Sequence, residues 1–314
     1  MTQRPLALLV AGPTASGKSA LALALAQRFG GTVINADSMQ LYRELRVLTA
    51  RPSLAEEAAV PHRLYGVRPA AEPASVAWWR EAALAEMAAS PLPILCGGTG
   101  LYFLSLTEGL SALPPVPPEA RAQARAELAE HGPATIHARL DAETAAGLRP
   151  GDSQRIARAY EVLLGTGRGL AAWQREGAHT GPAPWRFAAI RLDPPREVLR
   201  AAIGARFAAM LAGGAMEEVR GLAALELDPA LPAMRAHGVP ELMAHIQGGM
   251  TLEAARDRAV LHTGQYTKRQ ATWFRHHPLA DPTDTHIIHA RVEGLAQFQE
   301  SQQAEIFAFV ESRR

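Results

Sequence analysis

Three short apolar runs stand near the start of the chain: LALLVA at 6–11, TVINA at 32–36 and LPILC at 92–96. Each is continuous rather than alternating, the pattern of a strand buried on both faces. Between the first two lies SALALALAQRF, residues 19–29, followed by Gly30 and Gly31. Ala and Leu favour helix, and the glycines supply its stop. SVAWWREAALAEMAA at 75–89 predicts a second helix. Strands alternating with helices predict parallel pairing through right-handed crossovers, hence an α/β domain.

The pattern changes at LPPVPP, residues 113–118. From Glu119 to about Gly169 the periodicity is helical, Ala and Arg are frequent, and no strand stands out. This predicts a helical insertion at 113–185, within a core made of 1–112 and 186–314. EGAHTGPAP at 176–184 closes the insertion, and FAAIRLD at 187–193 predicts a strand returning to the sheet. Helices are predicted at 196–214, at 216–225, from Leu252 to about Phe274, and near 292–311. The remainder of the tail after Pro282 carries no pattern, and no internal repeat occurs.

Composition narrows the function classes. Hydrophobic residues are 48% of 314, enough for a sizeable core. With 32 basic against 31 acidic residues the net charge is +1, so any nucleic-acid surface must come from local clustering. The single cysteine, Cys96, excludes an internal disulfide and a Cys-Cys zinc module, and suits a reducing cytoplasm. Arg4 before LALLVA faintly resembles a signal peptide, but the run leads straight into a glycine loop, which predicts a buried strand instead. No apolar stretch approaches the ~20 residues of a membrane span, so no membrane partner is expected. The eleven histidines form no HxH or HExxH pattern, so no protein-built metal site is expected.

Candidate chemistry collects at strand ends, where ligands of open α/β sheets bind. The first strand runs into Gly12-Pro13-Thr14-Ala15-Ser16-Gly17-Lys18-Ser19, a full match to the nucleotide-binding, ATP-binding loop G-x-x-x-x-G-K-[ST]. Its backbone N–H groups and the following helix N-terminus would cradle phosphates. Lys18 would neutralise charge, and Ser19 would help hold Mg²⁺. The second strand ends at Asp37, which reads equally as a general base or a helix N-cap. The third ends in Gly97-Gly98-Thr99-Gly100 rather than in an acid, which argues against an ordinary hydrolytic ATPase. Thr99 reads either as a donor to the reacting group or as a turn residue. Late in the chain, TGQYTKRQATWFRHH at 263–277 interleaves Lys268, Arg269 and Arg275 with Tyr266, Trp273 and Phe274. That mixture suits phosphate contact and base stacking, or an amphipathic helix with a solvated basic face. A second basic segment, at 151–168, carries Arg155, Arg158 and Arg168.

In this order GPTASGKS, the D-S-x-Q-x-Y segment at 37–42, GGTGLY at 97–102, DSQRIARAYEVLLGTG at 152–167 and QYTKRQATWFR at 265–275 resemble the tRNA dimethylallyltransferases, or tRNA isopentenyltransferases, of bacterial type. The likeness runs from about Leu6 to Arg275. It implies a P-loop NTPase-like parallel sheet with helices on both faces and a helical insertion domain. It implies transfer of a five-carbon group from dimethylallyl diphosphate to N6 of the adenine 3′ of the anticodon, with Mg²⁺, so that the phosphate is a leaving group. The implied catalytic residues are Asp37, Thr99 and Arg206. Gly12, Thr14, Ala15, Ser16, Gly17, Lys18 and Ser19 would hold the diphosphate. The implied tRNA contacts are Asp37, Ser38, Met39, Gln40, Thr99, Arg121, Gln154, Arg155, Arg158, Arg235, Lys268, Arg269, Gln270, Trp273 and Arg275, on the anticodon stem-loop. A cytoplasmic monomer is expected. Where the family often reads G-Y-[KR], this chain has Gly238-Val239-Pro240, so the tyrosine and the base are absent. Two other functions fit single motifs: a small-molecule kinase with ATP in the loop, and a non-catalytic RNA-binding protein that uses the loop as a structural anion site.

Overall fold

The computed structural model describes residues 4–293 and 300–314. The chain divides into two compact units, one of residues 1–107 with 183–314, the other of residues 108–182. The first opens with β1 (Leu6–Ala11), α1 (Lys18–Phe29), β2 (Thr32–Asn35), α2 (Leu54–Ala59), β3 (His62–Arg63), α3 (Val76–Ala88), β4 (Pro93–Gly97) and α4 (Gly100–Thr107). The second contains α5 (Pro118–His137), α6 (Ala142–Ala146), α7 (Ser153–Thr166) and α8 (Leu170–Glu176). The first then resumes with β5 (Arg186–Leu192), α9 (Arg196–Ala212), α10 (Ala215–Ala223), α11 (Val239–Ile246), α12 (Leu252–His276), β6 (Thr285–Ile288) and α13 (Glu300–Glu311).

Among the described residues the strands form one parallel sheet in the order β3-β2-β4-β1-β5-β6. The continuous apolar runs have the burial they imply: β2 and β4 are buried throughout, and β1 from its second residue. Leu8 and Val10 face one layer, with Leu21, Leu25 and Phe29 of α1 and Ile306 and Val310 of α13. Ala7, Leu9 and Ala11 face the other, with Trp79, Ala83 and Met87 of α3 and Phe103 and Leu106 of α4. Helices therefore cover both faces, the P-loop NTPase-like arrangement. A third cluster joins Phe207, Val219, Leu242, Ala255 and Ala259 of the later helices to Tyr42, Leu45 and Leu48. The helical unit has its own core of Ala124, Ile136, Ile156, Ala159 and Tyr160, and α5 breaks at Gly132, just before Pro133. No single helix among the described residues is long and apolar enough to cross a membrane.

The sequence reading has no counterpart for α2, β3 and α11, and it differs from the structure in the tail. The patternless tail contains β6, a short edge strand whose Ile287 is exposed. The helix expected near 292–311 is helical from Glu300 to Glu311; residues 294–299 lie outside the described residues. Val292 is not helical: its N–H donates to the Ser16 carbonyl (2.9 Å), so this segment crosses the glycine loop instead.

Candidate active site

The register of three neighbouring strands gathers the predicted loops. Ala11 pairs with Gly97, and Asn35 with Cys96, so residues 12–19, 36–38 and 97–99 emerge side by side. After β1 the chain curls through left-handed backbone at Ala15 (φ 66°) and Gly17 (φ 90°) before α1 begins at Lys18. Such a curl lets successive N–H groups converge on an anion. The N-terminus of α1 has neither a side-chain cap nor an acid in its first turn, which leaves its orphan N–H groups for a ligand. Gly17 is obligatory for a second reason: a Cβ there would lie 1.7 Å from the Val292 carbonyl oxygen. Arg291 joins the same crossing segment and donates from Nε to the Ala15 carbonyl (3.1 Å).

Charge around this loop is unbalanced. Burial pulls the Lys18 ammonium below its ordinary value, opposed by the Asp37 carboxylate and reinforced by Arg206. Burial likewise pulls Arg206 of α9 down, with Asp37 opposing and Arg291 adding to the effect. Lys18 and Arg206 thus share Asp37 as a nearby carboxylate, an arrangement that an anionic ligand would complete, while Arg291 close by is paired with Glu293.

Asp37 is held from behind. Its N–H donates to Asn35 Oδ1 (2.8 Å), and Asn35 Nδ2 donates to the carbonyls of Asp37 and Leu64 (3.0 Å each). The two carboxylate oxygens of Asp37 differ in their partners. Oδ1 accepts the Met39 N–H (3.1 Å), as a cap would. Oδ2 takes no hydrogen bond from the described residues. Thr99 Oγ1 accepts the Ser38 N–H (3.0 Å), and the Thr99 N–H donates to the Ala36 carbonyl (3.1 Å), so this side chain ties the second and third strand ends together.

Helix α12 is locked onto these loops through their glycines. Gln270 Oε1 accepts from Thr14 N (2.8 Å) and Oγ1 (3.0 Å), and its Nε2 donates to the Gly98 carbonyl (2.9 Å). A Cβ on Gly98 would meet that amide at 2.3 Å, and one on Gly100 would meet the Trp273 ring at 2.3 Å. Trp273 also stacks on His277, with centroids 4.3 Å apart. Of these two residues expected to touch tRNA, Gln270 is buried and used up by the loops, while Trp273 is half-buried. Arg275 pairs with both carboxylate oxygens of Asp193 (3.1 and 2.9 Å). Lys268 and Arg269 remain exposed, with Arg269 over the Tyr266 ring (5.6 Å). Tyr266 meets His237, centroids 4.7 Å apart, and burial pulls His237 down despite the Glu241 carboxylate.

The departure at 238–240 has a simple form. Gly238 (φ 96°) precedes α11, Val239 is buried, and Pro240 stands in the first turn, where its missing N–H leaves nothing unsatisfied. Arg235 is exposed on a short 3₁₀ turn just before it. In the helical unit, Arg121, Gln154 and Arg155 are exposed; Arg155 lies 3.6 Å from Asp152, and half-buried Arg158 pairs with Glu161 (3.3 Å).

No group of three or more His, Cys, Asp or Glu among the described residues could hold a metal. Ser19 offers a hydroxyl beside the buried Cys96, whose thiol is pushed up to about 11 by burial and stays neutral. Cys96 thus occupies the strand end where a metal-holding acid would stand. An oxygen from Ser19 plus oxygens of a bound diphosphate and water is a donor set that fits Mg²⁺, which usually arrives with phosphates.

Asn35 and Arg291 were not found from the sequence. Asn35 carried a faint signal, as the lone amide in an apolar strand; Arg291 carried none.

Two family models match the chain: "IPP transferase" over residues 40–277 and "Isopentenyl transferase" over residues 6–68. The chain is 59% identical to a tRNA dimethylallyltransferase of Acidiphilium cryptum, covering 98% of this chain and 95% of that protein. It is 58% identical to one of Gluconacetobacter diazotrophicus, covering 96% and 93%. Its fold resembles the crystal structure of the full-length tRNA isopentenylpyrophosphate transferase of Bacillus halodurans, with TM-score 0.68 at 28% identity, over 99% of this chain and 96% of that one. A eukaryotic dimethylallyltransferase acting on tRNA shares the fold, with TM-score 0.78 at 24% identity, over 99% of this chain and 80% of that one.

Proposed function

The chain belongs to the tRNA dimethylallyltransferase family, and on that premise we propose that it moves the dimethylallyl group of dimethylallyl diphosphate to N6 of the adenine 3′ of the anticodon in tRNA. The observation that carries the site assignment is the pair of desolvated cations, Lys18 and Arg206, beside an uncapped helix N-terminus and one carboxylate.

The diphosphate sits in the loop formed by Gly12, Thr14, Ala15, Ser16, Gly17, Lys18 and Ser19. Lys18 and Arg206 stabilise the charge that grows on it as the C–O bond breaks. Mg²⁺, held by Ser19 and the diphosphate, would neutralise that same leaving group. The new bond forms between adenine N6 and the allylic carbon. The proton lost from N6 passes to Asp37 Oδ2, which no described residue occupies. The adenine must leave its stack to reach this point. Thr99 keeps the loop of Asp37 against the glycine turn, and Gln270 keeps that turn against the phosphate loop. Exposed Lys268, Arg269, Arg235, Arg121 and Arg155 suit the tRNA backbone. The buried, lone Cys96 suits a reducing compartment, the cytoplasm.

Mass spectrometry of nucleosides from tRNA incubated with the protein and dimethylallyl diphosphate tests the reaction. An adenosine gaining one five-carbon unit at that single position is expected. Unmodified tRNA after extended incubation would contradict it.

A further inference from the structure

Glu218 lies in the first turn of α10 and forms no ion pair within 4.0 Å among the described residues. Its carboxylate is nevertheless fully used. Oε1 accepts the backbone N–H groups of Arg46 (2.5 Å) and Val47 (2.7 Å), and Oε2 accepts that of Leu48 (2.8 Å). Three consecutive N–H groups on one anion make a backbone nest, here filled by the protein's own charge.

The nest is one end of a single turn. At its other end Ala50 N–H donates to Val47 O (2.9 Å) and Arg51 N–H to Arg46 O (3.0 Å), with Ala50 in the left-handed region (φ 47°). The carbonyls that this leaves over point at site residues. Thr49 O and Ala50 O accept from Gln40 Nε2 at 2.8 and 3.0 Å, and Thr49 O takes a longer contact from Arg206 Nη2 (3.4 Å). Two carbonyls on Nε2 fix which way the Gln40 amide faces, so Oε1 is presented as an acceptor.

We propose that Glu218 is a positioning residue for prenyl transfer: it clamps the turn 46–50, whose carbonyls orient the Gln40 amide toward tRNA. The inference rests on the prenyl-transfer reading, in which Gln40 meets the anticodon loop. The chemistry at 218 is demanding. Glutamine offers one acceptor oxygen to three N–H groups and turns an NH₂ against at least one of them.

The test is a double-mutant cycle on kcat/KM for an anticodon stem-loop, with dimethylallyl diphosphate saturating and a thermal melt for each variant. Glu218→Gln is expected to lower kcat/KM about tenfold, the scale of a lost hydrogen bond to a charged group. Gln40→Ala is expected to do the same, and the double variant to be no worse than Gln40→Ala alone. Should Glu218→Gln not fold, Glu218→Asp withdraws the carboxylate by one methylene and carries the same comparison. Equal losses from the 218 substitution in the wild-type and Gln40→Ala backgrounds, or no loss in either, would overturn the inference while leaving the enzyme's activity intact. A wild-type protein that transfers no prenyl group would overturn the underlying reading, and the inference with it.

Discussion

The two oxygens of Asp37 have different surroundings. Oδ1 accepts the Met39 N–H and shapes the turn (3.1 Å), while Oδ2 accepts no hydrogen bond from the described residues and is the atom that takes the proton in the proposed reaction. Asparagine can keep the first contact, since its carbonyl oxygen still accepts. It cannot take a proton. Asp37→Asn is therefore expected to fold and bind tRNA normally yet transfer about 10²–10⁴ more slowly, the usual range for a lost general base. Single-turnover prenylation at saturating substrates reads this directly, and a rate within a few-fold of wild type would remove Asp37 as the base. The loop residues and Asp37 were legible because their meaning lies in local spacing after a strand. Asn35 was not, because its role depends on a carbonyl 29 positions away at Leu64 (3.0 Å). The same reason hid Arg291, which reaches the loop across 276 positions to Ala15 (3.1 Å).

Helix α12 shows how one element serves both core and surface. Its buried residues, Ala255, Ala259, Thr263, Thr267, Gln270 and Phe274, recur at three or four positions and form one stripe. Between them Lys268 and Arg269 are exposed, so the segment is an amphipathic helix with a solvated basic face, and in the proposed reaction that face meets the tRNA backbone. Two cations expected as equal backbone contacts differ in their surroundings. Arg275 is already paired with Asp193; burial raises that carboxyl, but Arg275 together with Arg191 and His289 holds it below its ordinary value. Lys268 has no such partner among the described residues. Lys268→Ala is expected to flatten the salt dependence of tRNA binding by roughly one unit of slope, and Arg275→Ala by less. Titrations over several salt concentrations measure both, and a larger change from Arg275→Ala would reverse the assignment. Long periodic helices such as α12 and continuous buried strands were readable. The two-residue β3 and the partly exposed β6 were not, because neither has enough apolar pattern to stand apart from a loop.

At the scale of the whole molecule, the sheet explains why sequence-distant motifs form one site. Parallel strands β2, β4 and β1 lie side by side and end together, so a loop, a carboxylate and a glycine turn from three parts of the chain meet without any local signal for the meeting. They bring together a glycine loop, an uncapped helix N-terminus and two desolvated cations, Lys18 and Arg206, and in the proposed reaction the anion held there departs rather than serving as a donor of phosphate. A kinase would use the same loop to pass on a γ-phosphoryl group. Transfer to tRNA from two donors, prenyl-labelled dimethylallyl diphosphate and γ-labelled ATP, separates these outcomes, with Lys18→Ala as the control. Loss of one charge-assisted contact, about 1.5–3 kcal/mol, should weaken donor use about tenfold to over a hundredfold in that variant while tRNA still binds. The account predicts label in tRNA from dimethylallyl diphosphate alone; label arriving only from ATP would contradict it.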